Sequence, residues 1–128
     1  MNLEGVERDL RLIERRRKEA LGGAYVGTWE WDIVTNALWW DQGMLDIYNI
    51  DASDFCGTYD DWAKRVHPDD LGKAVKSLRE CMVSNARYYY EFRVLHQKEW
   101  RKVVGAGNCI HDADGKPLRI TGINILTP

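Results

Sequence analysis

No C-x-x-C pair occurs in this sequence, and its three cysteines, Cys56, Cys81 and Cys109, are odd in number and widely spaced. That excludes a disulfide framework and a structural zinc site built on Cys pairs. Three reduced thiols point to a reducing compartment, and the expected location is the cytoplasm. No run of 18 apolar residues is present, and the charged N-terminus lacks a signal-peptide core, so neither a membrane span nor a secretion signal is expected. The formal net charge is −2, too small for the strong field that would draw nucleic acid or an anionic membrane. No Ser sits in a G-x-S-x-G elbow, no glycine-rich phosphate loop is present, and no C-x-x-C-H site exists for covalent haem. The three histidines, His67, His96 and His111, lack helical metal-ligand spacing. Cys109 and His111 share a strand face, about 7 Å apart, too far for a nucleophile and its base. No metal site and no catalytic set is expected.

What is present is ordinary in amount and unusual in kind. The 128 residues are 45% apolar and 30% charged, the balance of one globular domain with a real core. Phe occurs only twice, against six Trp and six Tyr. Trp and Tyr bring large apolar area with one polar handle each, which suits a core that encloses a pocket or forms an interface.

Leu3, Val6, Leu10, Ile13, Arg17 and Ala20 recur at alternating steps of three and four, so residues 3–21 read as a helix with a heptad seam, broken at Arg17. It is too short and too charged to be stable alone and needs a partner. Gly22-Gly23 ends it. The run Arg15-Arg16-Arg17-Lys18 reads as a solvated helix face. Alternation of Trp29, Trp31 and Ile33 predicts a strand over 27–33, and a turn at Thr35-Asn36 leads to a second over 37–40. Asp41 suits an N-cap for a short helix carrying Met44, Leu45 and Tyr48. A loop over 51–58 and a short helix over 59–65 follow.

His67-Pro68-Asp69-Asp70 opens a long helix with the apolar stripe Leu71, Ala74, Val75, Leu78, Cys81 and Met82. The two carboxylates are assigned to the helix dipole rather than to acid–base work. Three strands close the chain. In 88–96, Tyr88, Tyr90, Phe92 and Val94 share a face. The next strand, 100–111, carries Gly105 and Gly107, where something approaches the backbone closely. The last, 117–126, follows the turn Asp112–Gly115, which lacks the later ligands of a calcium loop. The order predicts an α+β domain: a five-stranded antiparallel sheet with helices on one face, preceded by an N-terminal amphipathic helix.

Several segments together resemble a PAS domain of the subtype with a tryptophan-rich first strand. They are Gly27-Thr-Trp-Glu-Trp-Asp32, Leu45-Asp-Ile-Tyr48, Tyr59–Trp62 with Val66-His-Pro-Asp-Asp70, Tyr90-Glu-Phe-Arg93, Trp100-Arg101, and Asp114–Pro117 through Gly122. The resemblance covers about residues 24–127. It implies a helical cap or linker, residues 1–23, that dimerises, and a PAS-like unit over 24–128. It also implies a non-enzymatic sensory module whose output domain, such as a histidine kinase or a cyclic-dinucleotide enzyme, lies elsewhere. Any pocket lies between sheet and helices. By alternation and by the resemblance, its lining is expected to be Trp31, Trp40, Met44, Tyr48, Tyr90, Phe92, Val104 and Ile123.

The chain departs from the family pattern in places. Leu126 stands where the family commonly carries an acid that ties the last strand to the exit linker. Asn108-Cys109 lies on a strand and lacks the Arg of the flavin-adduct motif. Residues 69–85 lack the His that haem-binding relatives commonly use. The cofactor is therefore left open. Two alternatives remain: a ligand-free dimerisation module, and a small cone-shaped α+β enzyme needing a buried acid of raised pKa.

Overall fold

The computed structural model describes residues 2–128. Helix α1 (Leu3–Leu21) leads into strand β1 (Tyr25–Asp32) and the short strand β2 (Leu38–Trp40). Helix α2 (Gln42–Tyr48), a 3-10 turn at Ala52–Asp54, α3 (Tyr59–Ala63) and the long α4 (Pro68–Ser84) come next. Strands β3 (Tyr88–His96), β4 (Glu99–His111) and β5 (Pro117–Leu126) complete the chain. The sheet is antiparallel throughout, in the order β2-β1-β5-β4-β3. This is the expected α+β fold. The first strand begins two residues earlier than alternation predicted, because Tyr25 and Val26 pair with Leu126 and Ile125.

Local chemistry explains the helix ends. Asn2 Oδ1 accepts from Gly5 N at the start of α1, Asp41 Oδ1 from Met44 N at α2, and Thr58 Oγ1 from Asp61 N at α3. Asn49 and Asn85 end α2 and α4 in the left-handed region, at φ 55° and 56°. The start of α4 differs from expectation. His67 is its N-cap, with Nδ1 accepting from Asp69 N at 3.1 Å. Asp70 faces β3, where it accepts from the Arg93 backbone N (2.8 Å), Nε (2.9 Å) and Nη2 (3.0 Å). Its carboxylate ties helix to sheet in addition to lying at the dipole's positive end.

Parity sorts the sheet into two faces. Trp29 and Trp31, Tyr88, Phe92 and Val94, Val103 and Cys109, and Ile120, Asn124 and Leu126 point towards α2, α3 and α4. Met44 and Ile47 of α2, and Ala74, Leu78 and Cys81 of α4, close the core over them. The opposite face carries Glu30, Lys102, Val104, Ile123 and Ile125. The expected lining is corrected here: Val104 and Ile123 belong to the outer face, one residue out of phase with the core.

Candidate functional site

A small cavity lies between the inner face of the sheet and the helices. Trp29 and Trp31 of β1, Leu38 and Trp40 of β2, and Met44 of α2 line one side. Tyr59 and Trp62 of α3, Leu78 of α4, Tyr88 and Phe92 of β3 and Asn124 of β5 line the other. Its free volume is about 30 Å³, where one water needs roughly 10–15 Å³ on the same measure. Aromatic contacts set its walls. Trp40 stacks on Phe55 at 4.1 Å, Trp31 meets Tyr59 at 5.3 Å, and Trp62 stands edge-on to Phe92 at 6.0 Å.

Glycines make room for these rings. A Cβ at Gly122 would strike the Trp29 indole, which lies over β5. A Cβ at Gly105 would sit 3.1 Å from Phe92 and 3.2 Å from the Tyr88 hydroxyl. The close approach expected at Gly105 is therefore by the protein's own aromatic side chains.

One polar chain crosses this apolar region. Trp29 Nε1 donates to Asn124 Oδ1 (3.0 Å), Asn124 Nδ2 donates to the Tyr48 hydroxyl (3.2 Å), and Trp62 Nε1 donates to the same hydroxyl (3.1 Å). All four residues are buried, and each polar side chain finds at least one partner, as a low-dielectric interior demands. Burial pushes the Tyr48 and Tyr88 phenols well above their ordinary value, so both keep their protons. No charged side chain lines the cavity.

Of the residues expected to form a pocket, Trp31, Trp40, Met44 and Phe92 come together around it. Tyr48 is buried behind them, with its hydroxyl in the polar chain. Tyr90 is half-buried on the inner face and packs against the core without lining the cavity. The residues missed are Trp29, Leu38, Tyr59, Trp62, Leu78, Tyr88 and Asn124. Trp29 and Tyr88 were legible from alternation. Asn124 became visible only through its register with Gly27 and Gly105.

His96 Nδ1 lies 2.8 Å from the Ile47 carbonyl and His111 Nε2 lies 2.8 Å from the Met82 carbonyl, each bridging strand to helix. Among the described residues, no three His, Cys, Asp or Glu side chains converge as metal ligands.

An antiparallel sheet roofed by helices over an aromatic cavity defines the class of α+β domain to which this chain belongs. The family described as "PAS fold" matches residues 37–124, and the chain belongs to that family. A curated relative, "Probable diguanylate cyclase DgcE" of Escherichia coli (strain K12), is 28% identical over 100 residues, 78% of this chain and 9% of that protein. The chain thus spans about a tenth of that relative's length.

Two solved structures share the fold. A sensory box histidine kinase/response regulator from Burkholderia thailandensis E264 superposes with a TM-score of 0.69 at 22% identity, over 87% of this chain and 83% of that one. The N-terminal domain of a diguanylate cyclase with PAS/PAC sensor from Marinobacter aquaeolei gives a TM-score of 0.68 at 17% identity, over 77% of this chain and 92% of that one. These named relatives are signalling proteins. Among the described residues, no helix is long and apolar enough to cross a membrane.

Proposed function

We propose that this chain is a cytoplasmic sensory module of a longer signalling protein. In this reading residues 24–128 are the sensing unit, and residues 1–23 carry the helix that pairs with a second copy. The cavity takes a compact uncharged molecule, because apolar walls without a counter-charge reject ions. The Tyr88 hydroxyl, kept protonated by burial, supplies a donor. The output domain is a histidine kinase or a cyclic-dinucleotide enzyme, in keeping with the relatives.

The observation that carries the reading is the state of α1. Its seam residues Leu3, Val6, Leu10 and Ile13 are 66%, 43%, 56% and 58% exposed, and no residue of α1 is buried. A lone helix of this length is marginal in water, and a second seam stabilises it. The helix also ends where the sheet ends. A Cβ on Gly23 would lie 3.4 Å from Pro128, and Tyr25 pairs with Leu126. Asn124, which touches the cavity, lies two residues before Leu126. A shift of Asn124 on ligand binding would therefore be felt at the base of α1 and bias two packings of the helix pair.

Native mass spectrometry of the fresh protein against its denatured mass tests both parts. A dimer with extra mass lost on denaturation supports the proposal. A bare monomer overturns the pairing.

The small cavity volume favours a second reading, in which aromatic side chains fill the space and the module only dimerises. A dimer without extra mass supports that reading. The enzyme alternative needs a buried acid of raised pKa. Asp61 is the buried acid among the described residues. Burial acts to raise its pKa, but hydrogen bonds from Lys64 and the Cys56 N–H, with the charge of Arg65, bring it below its ordinary value, the reverse of that requirement.

A further inference from the structure

A second and larger recess opens on the other side of Tyr48. It is bounded by the end of α2 (Tyr48, Asn49, Ile50), the end of α3 (Lys64, Arg65) and the β3–β4 hairpin (Leu95, Gln97, Lys98, Trp100), with a volume of about 500 Å³. That lies within the roughly 300–1,000 Å³ range of small-molecule sites. Three of its lining residues are cations and none is an anion, in a chain whose net charge is −2.

The cations are incompletely neutralised. Asp61 lies beneath them and takes Lys64 at 2.8 Å, while Arg65 Nη2 reaches Asp61 Oδ1 only at 3.4 Å and the Asp54 carbonyl at 3.3 Å. Arg65 Nε is buried and without a partner, the one such side-chain nitrogen or oxygen found among the described residues. A buried donor left unpaired is costly and uncommon. Lys98 has no acid partner among the ion pairs of the described residues and stands at the hairpin tip. There Gln97 and Lys98 both take positive φ, 48° and 66°, in a turn that favours Asn-Gly. Exposed Leu95 and Trp100 add a flat apolar wall beside the cations, with the Trp100 indole propped by His67 at 4.6 Å.

We propose that this recess is a second binding site, for a small organic anion with a flat apolar body. Its carboxylate or phosphate group pairs with Arg65, Lys64 and Lys98, and its ring lies on Trp100. Tyr48 lines the recess and lies behind the aromatic cavity, hydrogen-bonded to two of that cavity's lining residues, Trp62 and Asn124. The ring closes the recess, and the hydroxyl anchors Trp62 and Asn124. An anion bound here would therefore act on the same polar chain as an occupant of the cavity.

The test is a titration of the nitrogen-15-labelled chain, at fixed ionic strength, with 1-naphthoate, with 1-naphthyl phosphate and with uncharged 1-naphthamide. The expected result is saturable backbone shifts at residues 48–50, 64–65 and 95–100 with one or both anions, and binding of the amide weaker by about tenfold or more. Lys98→Gly is the decisive variant. Glycine relaxes the positive φ, so the fold is kept or strengthened, while affinity for the anion falls by about five- to tenfold. Equal binding of amide and anion, shifts centred on Trp29 and Asn124, or undiminished affinity in Lys98→Gly would each overturn the proposal. None of these outcomes depends on whether the aromatic cavity holds a ligand.

Discussion

Asn124 shows how much one side chain decides in this core. It faces the interior although hydrophobic alternation places Ile123, not Asn124, on that face, and it joins Trp29 to Tyr48. Asn124→Leu keeps the volume but strands the indole N–H of Trp29 and removes one donor to Tyr48. The expected loss is about 1–3 kcal/mol, read as a lower urea midpoint with unchanged m-value.

Asp70 carries the acid sensitivity of the α4–β3 junction. The Arg93 guanidinium hydrogen-bonded to it brings its carboxyl down to about 2 from the ordinary 3.8. The folded state thus holds the charge more tightly than the unfolded chain. The stabilisation is complete above pH 3.8 and is lost as pH falls towards 2. Asp70→Asn is expected to melt lower at neutral pH and to show a shallower further loss between those two values, measured by thermal melts across the acid range. Partial exposure of both partners keeps the effect modest.

At the scale of elements, α2 packs tightly onto β1. A Cβ on Gly43 would strike the Val26 carbonyl, and one on Gly27 would strike the Met44 backbone. Two glycines facing each other bring the helix backbone onto the strand and let Met44 and Ile47 reach the core. Gly43→Ala must push α2 outward. We expect destabilisation of about 2–4 kcal/mol and greater solvent access to Trp40, seen as a red shift in fluorescence.

Leu126 makes a related point about the last strand. Where relatives of this family commonly carry an acid, this chain buries a leucine between Tyr25 and Val103. An apolar plug therefore seals the sheet at the point where the chain leaves it. The contact between the end of β5 and the chain that leads into β1 is thus made by packing and by strand pairing.

For the whole molecule, the exposed seam of α1 is the feature that the single chain leaves unsatisfied. If α1 pairs as proposed above, Leu10→Lys with Ile13→Lys is expected to abolish the dimer in sedimentation or native mass measurements. The melting of the sheet should change little, because α1 buries no residue against it. Loss of the folded sheet in that double variant would show instead that α1 supports its own domain.

Periodicity and punctuation in the chain were enough to determine the order of the four α-helices and five strands, the helix N-cap at Asp41, the His-Pro start of α4, and the apolar stripe of α1, but not the 3-10 turn at Ala52–Asp54, which reads as loop. Each of these depends on neighbours a few residues apart. Tertiary structure alone decided which strand face turned inward in β4 and β5. Two strands with Gly105, Gly107 and Gly122 on one face and Val104 and Ile123 on the other present their bulk on the outer side. Alternation read by hydrophobicity therefore chose the wrong parity. Gly105 and Gly122 are inside because the rings of Trp29, Tyr88 and Phe92 lie across them, Gly107 because the β5 backbone at Thr121 and Gly122 lies against it, and that accommodation joins residues far apart in the chain. The same holds for Asp70, whose partner on β3 is 23 residues away, and for the cationic recess, whose walls come from three separate segments. Such contacts depend on register and on the packing of one element against another, which no local pattern encodes.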